Sequence, residues 1–187
     1  MLGWSGERRI VLTAEPTTGE AGRMLRDEMA RSQAENAQAP AAILMKELFL
    51  FVADHADHLA RTVIPSLEEG AIVLSDRYSD STAAYQGVTL SKVITDPVSW
   101  IQNIFRPWDR VPDKTLLFLL DPEEALKRMR SRPGRDKFER LDFLKSVDEN
   151  FRRMASMDPE RFVLIDASQD QRAVAAEAMA ALQKLIG

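Results

Sequence analysis

Short apolar runs alternate along the chain with longer segments in which apolar residues recur at helical spacing. The apolar runs, which predict buried strands, lie at 9–13, 71–76, 115–120 and 162–166. Helical patterns separate them and occupy 19–30, 40–61, 63–69, 79–85, 97–105, 121–132, 141–157 and 171–186. Strands that are apolar on both faces and joined by helices predict an α/β fold of three layers, a parallel sheet with helices on both faces. We expect the whole chain, 1–187, to form a single domain.

Acidic residues stand at the carboxyl ends of the predicted strands. They are Glu15, Asp76, Asp121 and Asp166. Ligands of parallel α/β sheets bind beyond the carboxyl ends of the strands, so we expect a functional site at this edge.

Two of the predicted helices begin at capping residues. Asp121 precedes Pro122 and two glutamates, which is a strong helix start. Ser79 or Asp80 is expected to cap the helix over 79–85.

The composition is that of an ordinary folded protein. Of the 187 residues, 45% are hydrophobic and 29% are charged, which excludes a wholly disordered or collagen-like chain. The sequence has no cysteine, and therefore neither disulfides nor a thiol nucleophile. The net charge of -4 gives no indication of broad binding to nucleic acid or to an anionic membrane. The longest apolar run is far shorter than the roughly 20 residues that span a bilayer, and we expect a cytoplasmic protein.

The tripeptide Asp76-Arg77-Tyr78 follows the second strand directly and combines residues suited to phosphate and metal. An aspartate there can hold a metal-bound water or receive a proton, and an arginine can grip a phosphate with two hydrogen bonds. A strand-end salt bridge is the plain alternative. In the next helix, Ser81 and Tyr85 share a face, where they either contact a polar ligand or only cap and pack the helix.

A basic cluster with a Pro-Gly break spans the end of the sixth helical pattern. Its cations are Arg128, Arg130, Arg132, Arg135 and Lys137. Such a segment can close over phosphates and neutralise charge during group transfer, whereas a solvated helix end is the alternative. We expect a basic lid at about 128–139.

Residues 54–58, Asp-His-Ala-Asp-His, place two histidines and two aspartates within about one helical turn. Tetrahedral zinc requires a further convergent ligand, and none is evident, so a metal site here is the weaker interpretation. His55 can instead face a ligand, and a surface position suits His58. Phe51 lies one turn before His55, where either core packing or ligand stacking explains it.

Taken together, these segments resemble the thymidylate kinase family, most closely its archaeal type. The resemblance runs in order over nearly the whole chain and is carried by residues 11–17, 47–55, 75–81, 84–87, 136–139 and 163–168. It implies a P-loop NTPase-like fold of the nucleoside monophosphate kinase type. The implied activity is phosphate transfer from ATP to dTMP with Mg2+, giving dTDP and ADP, for dTTP biosynthesis. A homodimer packed through helices is also implied, with the Phe49 helix and the helix from Trp100 to Phe105 as candidates.

The resemblance assigns the nucleoside part of the dTMP site residue by residue. Phe51 takes the place of the ring that stacks on thymine, and His55 stands where many members have an arginine that bonds the base. Thr82, with Ser81 beside it, would contact the base edge. Tyr85 would pack under the deoxyribose and disfavour a 2′-hydroxyl.

The resemblance places the phosphate and metal residues at the strand ends. Arg77 would grip the dTMP phosphate, Asp76 would act in catalysis by organising Mg2+ and the acceptor, and Glu15 would lie near the acceptor phosphate and the metal. Ala14 departs from the family, because relatives usually carry an arginine there. One cation is therefore missing from the acceptor site.

The donor side is assigned to the basic lid and to the loop after the fourth strand. The lid residues that would cover the ATP phosphates are Arg128, Arg130, Arg132 and Lys137, and one or more of these arginines would act in catalysis on the transferred group. Ala167 and Ser168 would form part of the adenine pocket.

The larger departure concerns the phosphate-binding loop G-x-x-x-x-G-K-[ST], which occurs nowhere in the 187 residues. We therefore expect the family's N-terminal strand, P-loop and first helix to be missing. By itself such a chain should be marginally stable and transfer little phosphate. Two alternatives remain: an inactive dTMP-binding remnant or regulatory module, and a related nucleotide kinase with another pyrimidine acceptor.

Overall fold

The computed structural model describes residues 8–34, 39–130 and 140–186. In these residues, four strands alternate with helices: β1 (Ile10–Ala14), β2 (Ile72–Asp76), β3 (Thr115–Leu119) and β4 (Phe162–Asp166). The helices are α1 (Glu20–Ala34), α2 (Ala41–His58), α3 (Ile64–Glu68), α4 (Ser79–Thr89), α5 (Pro97–Phe105), α6 (Pro122–Arg130), α7 (Leu141–Met157) and α8 (Gln171–Ile186). A π-helical turn, Leu59–Val63, joins α2 to α3. The predicted α/β class is confirmed.

The strands pair in parallel, in two separate pairs. β1 pairs with β2 from Ile10↔Ile72 to Ala14↔Asp76, and β3 pairs with β4 from Thr115↔Phe162 to Leu119↔Asp166. Among the described strands this gives two two-stranded sheets, where the sequence pattern predicts one. Alternating strands and helices predict that strands are parallel, but they do not determine which strands become neighbours.

The chain divides into two compact units, Met1–Arg110 and Val111–Gly187. We call them unit 1, which contains β1, β2 and α1–α5, and unit 2, which contains β3, β4 and α6–α8. The buried apolar side chains of unit 1 include Leu25, Leu48, Leu59, Ala83, Leu90 and Ile101. Those of unit 2 include Leu117, Leu126, Val147, Met154, Phe162 and Ile165. The expected single domain over 1–187 stays a prediction.

Of the two capping predictions, the one for α6 is confirmed and the one for α4 is wrong. Asp121 Oδ1 accepts from the backbone N–H groups of Glu123 and Glu124, so the predicted cap of α6 is confirmed. At α4, however, the residue at the N-cap is Tyr78, and neither Ser79 nor Asp80 caps the helix. Both lie inside the first turn and are buried there.

In the described part of the chain, no helix is both long enough and apolar enough to cross a membrane.

Candidate functional site

The carboxyl ends of β1 and β2 bring three of the predicted residues to one edge. The backbone N–H of Glu15 donates to the carbonyl oxygen of Asp76 at 3.0 Å, which extends the ladder past the last strand residue. Because the strands are parallel and in register, Glu15 lies beside the start of the Asp76-Arg77 segment. The structure therefore places Glu15 and Asp76 side by side at the strand ends, as the sequence predicts.

Arg77 has a strained backbone, and its side chain contacts Tyr85. Its φ of 69° lies in the left-handed region, which a residue with a Cβ adopts only when surrounding contacts hold it there. One such contact is the Ser75 hydroxyl, which donates to the Arg77 carbonyl oxygen at 2.7 Å. The guanidinium carbon lies 4.8 Å from the centre of the Tyr85 ring, and Nη2 is 3.5 Å from the Tyr85 hydroxyl. Arg77 is exposed, so its remaining N–H groups face solvent.

The residues assigned to the base lie on α2 and α4. Phe51 on α2 is half-buried, as are Ser81 and Tyr85 on α4, whereas Thr82 is buried. Their placement leaves Phe51 and Tyr85 with surface that a ligand can cover, while the Thr82 hydroxyl lies deeper.

A buried polar pair that was not predicted from the sequence lies one helical turn from these residues. Gln86 on α4 is 0% exposed, and its Nε2 donates to Oε1 of Glu47 on α2 at 3.0 Å. Among the described residues, Gln86 Oε1 has no hydrogen-bond partner. Buried side-chain acceptors normally have a hydrogen-bond partner, so a buried acceptor without one requires an explanation. Spacing gave a partial signal, since Gln86 follows Thr82 by four residues and Glu47 precedes Phe51 by four.

Two histidines of α2 hold the Glu15 carboxylate. Nδ1 of His55 and Nδ1 of His58 each lie 2.7 Å from Glu15 Oε1. Nε2 of His58 lies 2.8 Å from the Thr13 hydroxyl on β1. Burial raises the pKa of Glu15, but the hydrogen bonds from His55 and His58 outweigh burial and hold the pKa below its usual value.

A second carboxylate lies on the other side of the His55 ring. Nε2 of His55 is 3.0 Å from Asp109 Oδ1, and Asp109 Oδ2 accepts from the Ser79 hydroxyl at 2.7 Å. Burial lowers the pKa of His55, but the hydrogen bonds with Asp109 and Glu15 outweigh it and raise the pKa to about 9. At neutral pH His55 is therefore an imidazolium that donates from both nitrogens.

Aromatic rings enclose the charged imidazole. Tyr78, Phe105 and Trp108 lie with their centroids 4.5, 5.0 and 5.5 Å from that of His55. Burial, followed by the charge of Asp109, raises the pKa of Tyr78, and its hydroxyl donates to the Arg110 carbonyl oxygen.

These contacts change the interpretation of residues 54–58. His58 is 2% exposed, so the surface position suggested for it is wrong; burial comes from its contacts with Glu15 and β1. Both nitrogens of His55 face carboxylates, which leaves neither to donate to a base. Within the described residues, no group of three or more histidine and acidic side chains is arranged to hold a metal ion.

Asp54 fixes the loop that follows Glu15. Its two carboxylate oxygens accept from the backbone N–H and the hydroxyl of Thr17, at 2.8 and 2.5 Å. Gly22 lets α1 approach this loop closely, because a Cβ there would lie 2.1 Å from the Thr17 carbonyl oxygen. Arg26 on α1 donates to the carbonyl oxygens of Pro16 and Thr17.

Unit 2 brings together the described residues of the predicted donor site. Nη1 of Arg128 donates to the Ala167 carbonyl oxygen at 3.2 Å. Asp166 Oδ1 accepts from the backbone N–H and hydroxyl of Ser168, which lowers the pKa of Asp166. The backbone of Arg130 ends α6. Arg132, Lys137 and the rest of the expected lid over 131–139 lie outside the described residues.

Comparison with known proteins first defines the class of fold. The solved structure of thymidylate kinase from Ehrlichia chaffeensis matches this chain with a TM-score of 0.66 at 25% sequence identity. The match covers 94% of this chain and 81% of that one. Together with the parallel strands and their connecting helices, it defines a P-loop NTPase-like α/β fold.

Sequence comparison then defines the family. A family model described as Thymidylate kinase matches residues 2–178. The probable thymidylate kinase of Methanococcoides burtonii is 44% identical over 176 residues, which cover 94% of this chain and 83% of that protein. That of Halobacterium salinarum is 44% identical over 173 residues, 92% of this chain and 81% of that protein. This chain belongs to the thymidylate kinase family, and the resemblance to archaeal members is confirmed.

Proposed function

We propose that the protein phosphorylates dTMP with ATP and that unit 1 binds the acceptor. The observation that carries this proposal is the position of Arg77, whose strained backbone and contact with Tyr85 hold an exposed guanidinium at the strand ends. A guanidinium fixed there offers paired N–H donors to a phosphate, at the edge where ligands of parallel sheets bind. Family membership supports dTMP as the acceptor.

The thymine base lies, in this proposal, between α2 and α4. Phe51 stacks on the ring, and Ser81 and Thr82 supply hydroxyls to its edge. Gln86 Oε1, the buried acceptor without a described partner, suits the N3–H donor of a thymine ring. The role first assigned to His55 passes to these residues, because both of its nitrogens are engaged by carboxylates.

The residues for the sugar and the metal are assigned from their contacts and their exposure. Tyr85 packs under the deoxyribose while its ring supports Arg77. Asp76 fits Mg2+, since it is an exposed carboxylate at the end of β2 and Mg2+ commonly takes one or two carboxylates plus phosphates and water. Glu15 does not fit, because its Oε1 accepts from two imidazoles. Bound Mg2+ would neutralise charge on the phosphates.

ATP is assigned to unit 2. The bond from Arg128 to the Ala167 carbonyl oxygen joins two residues of the proposed donor site, and Ser168 is ordered by Asp166. In the proposal Ala167 and Ser168 contact adenine, and Arg128, Arg130, Arg132 and Lys137 contact the phosphates.

Two further proposals concern activity and assembly. The sequence lacks G-x-x-x-x-G-K-[ST], and this favours a second candidate function for these 187 residues, dTMP binding without efficient phosphate transfer. A related kinase with another pyrimidine acceptor would use the same residues.

We also propose a homodimer through α2 and α5, which the 52% exposure of Phe49 on α2 supports.

The Arg77→Ala variant tests acceptor binding. We expect its Kd for dTMP to rise by about 10–100-fold, since charged hydrogen bonds contribute about 1.5–3 kcal/mol, while its Kd for thymidine stays unchanged. Isothermal titration calorimetry measures both. Arg106→Ala, which removes another exposed arginine of unit 1, serves as the control and should bind dTMP normally. Equal losses for dTMP and thymidine, or no loss for dTMP, would contradict the assignment.

A further inference from the structure

The buried contact between Glu47 and Gln86 has two possible arrangements of the amide, and only one of them is favourable. A carboxylate offers acceptors alone, whereas an amide offers one acceptor and two donors. With Nε2 facing Glu47, the pair forms a hydrogen bond of 3.0 Å. With the amide flipped, two oxygens would face each other inside the protein, where an unpaired or opposed polar group costs the most.

We propose that Glu47 is a positioning residue that determines which pyrimidine the site accepts. By binding Nε2, it turns Oε1 of Gln86 away from itself and leaves that oxygen as a fixed, unsatisfied acceptor. The acceptor selects a base with an N–H donor at ring position 3. This inference rests on the proposed dTMP site and adds the origin of its base selectivity.

The location of the pair supports this role. Glu47 and Gln86 are 2% and 0% exposed, so bulk water does not reach Oε1, and a base donates to it only after the side chains that cover it move aside. Glu47 lies one turn before Phe51 on α2, and Gln86 lies one turn after Thr82 on α4. The pair is thus adjacent, on both helices, to residues assigned to the base.

The chemistry separates thymine and uracil from cytosine. Thymine and uracil carry a hydrogen on N3 and donate to Oε1, whereas N3 of cytosine is an acceptor and would face another acceptor. A site built around a fixed hydrogen-bonding group rejects a ligand that leaves the group unpaired. Selectivity therefore depends on Glu47, which has no need to touch the ligand.

Glu47→Gln tests the proposal, because a glutamine at 47 pairs with either orientation of Gln86. We expect the ratio of dCMP to dTMP dissociation constants to fall at least tenfold, with dCMP binding more tightly than in the wild type. Titration calorimetry with both nucleotides measures the ratio. The control is Glu28→Gln, which alters a shielded carboxylate paired with Lys46 and should leave the ratio unchanged.

The exchanged pair Glu47→Gln with Gln86→Glu distinguishes positioning from a structural role. A glutamate at 86 accepts from the amide at 47 and presents an oxygen to the ligand in either orientation, so selectivity for dTMP should return. A folded Glu47→Gln protein with the wild-type ratio, or an exchanged pair that does not restore it, would overturn the proposal. If wild-type protein bound neither nucleotide, the proposed function itself would fail; if it bound dTMP without selectivity, only this inference would.

Discussion

At the scale of single residues, the most unusual feature is a charged histidine inside unit 1. His55 is 0% exposed, yet its ring lies between Glu15 and Asp109 and is surrounded by aromatic side chains. Burial of one charge is costly unless partners compensate it, and here two carboxylates do. The imidazolium thereby ties the end of β1 to α2 and to the segment after α5.

This arrangement predicts a stability that depends on pH. The pKa of His55 is raised from 6.5 to about 9 in the folded protein, so its contribution is complete below about pH 6.5 and is lost as the pH rises through 9. We expect the free energy of unfolding to fall over this range by roughly 2–3 kcal/mol, which chemical denaturation at several pH values measures.

Histidine variants identify the group responsible. His55→Asn should remove most of the decline, whereas His58→Gln keeps His55 between Glu15 and Asp109 and should retain it. A wild-type stability that stays level or rises between pH 6.5 and 9 would contradict the assignment.

Glu15 contributes to stability in the opposite pH direction. Because its pKa is lowered in the folded protein, its contribution is lost at acidic pH, as the pH falls through the folded value.

At the scale of elements, the close approach of α1 to the loop after β1 supports the site. Asp54 holds Thr17, and Gly22 provides the space for this loop against the helix. The loop begins at Glu15, so its position and that of the histidine pair are connected. Packing at Gly22 thus contributes to the geometry of the strand ends.

Substitution of Gly22 tests this packing. In Gly22→Ala the new methyl would lie 2.1 Å from a backbone oxygen, and we expect a loss of about 1–3 kcal/mol in urea unfolding. Gly19→Ala is the matched comparison, since its Cβ meets only side-chain oxygens of Asp57 and Thr17, at 3.0 Å. Those atoms can move, so Gly19→Ala should cost less. A larger loss for Gly19→Ala would be evidence against close packing at Gly22.

At the scale of the whole molecule, the two units divide the proposed roles. Unit 1 contains the residues assigned to dTMP, and unit 2 contains the described residues assigned to ATP. The sequence contains Arg77, which we assign to the acceptor phosphate, but it contains no lysine in a G-x-x-x-x-G-K-[ST] loop for the donor phosphates. We therefore expect acceptor binding and phosphate transfer to be separable in these 187 residues.

We expect the 187-residue chain to bind dTMP and to release ADP from ATP far more slowly than ordinary kinases. Loss of a group that stabilises the transferred phosphate costs at least about 100-fold in rate. Calorimetry with dTMP and a coupled ADP assay with Mg2+ measure the two properties on one preparation. Turnover in the range of about 1–100 per second would contradict the expectation.

Local signals in the sequence determined most of the elements. The predicted bounds 97–105, 141–157, 162–166 and 171–186 agree with α5, α7, β4 and α8, because helical periodicity and apolar runs are properties of neighbouring residues. Asp121 was predictable as a cap for the same reason. The strand ends at Glu15 and Asp76 also followed from sequence, since parallel strands end at one edge.

The tertiary structure alone decided which strands pair and how the polar groups of the site are partnered. Glu15 meets His55 and His58 across 40 and 43 residues, and Gln86 meets Glu47 across 39. Periodicity places a residue on a face of its own helix, but it carries no information about the side chain opposite. Burial of His58, the charge on His55 and the orphan acceptor of Gln86 all arise from those distant partners, because desolvation and hydrogen bonding depend on which groups folding brings together.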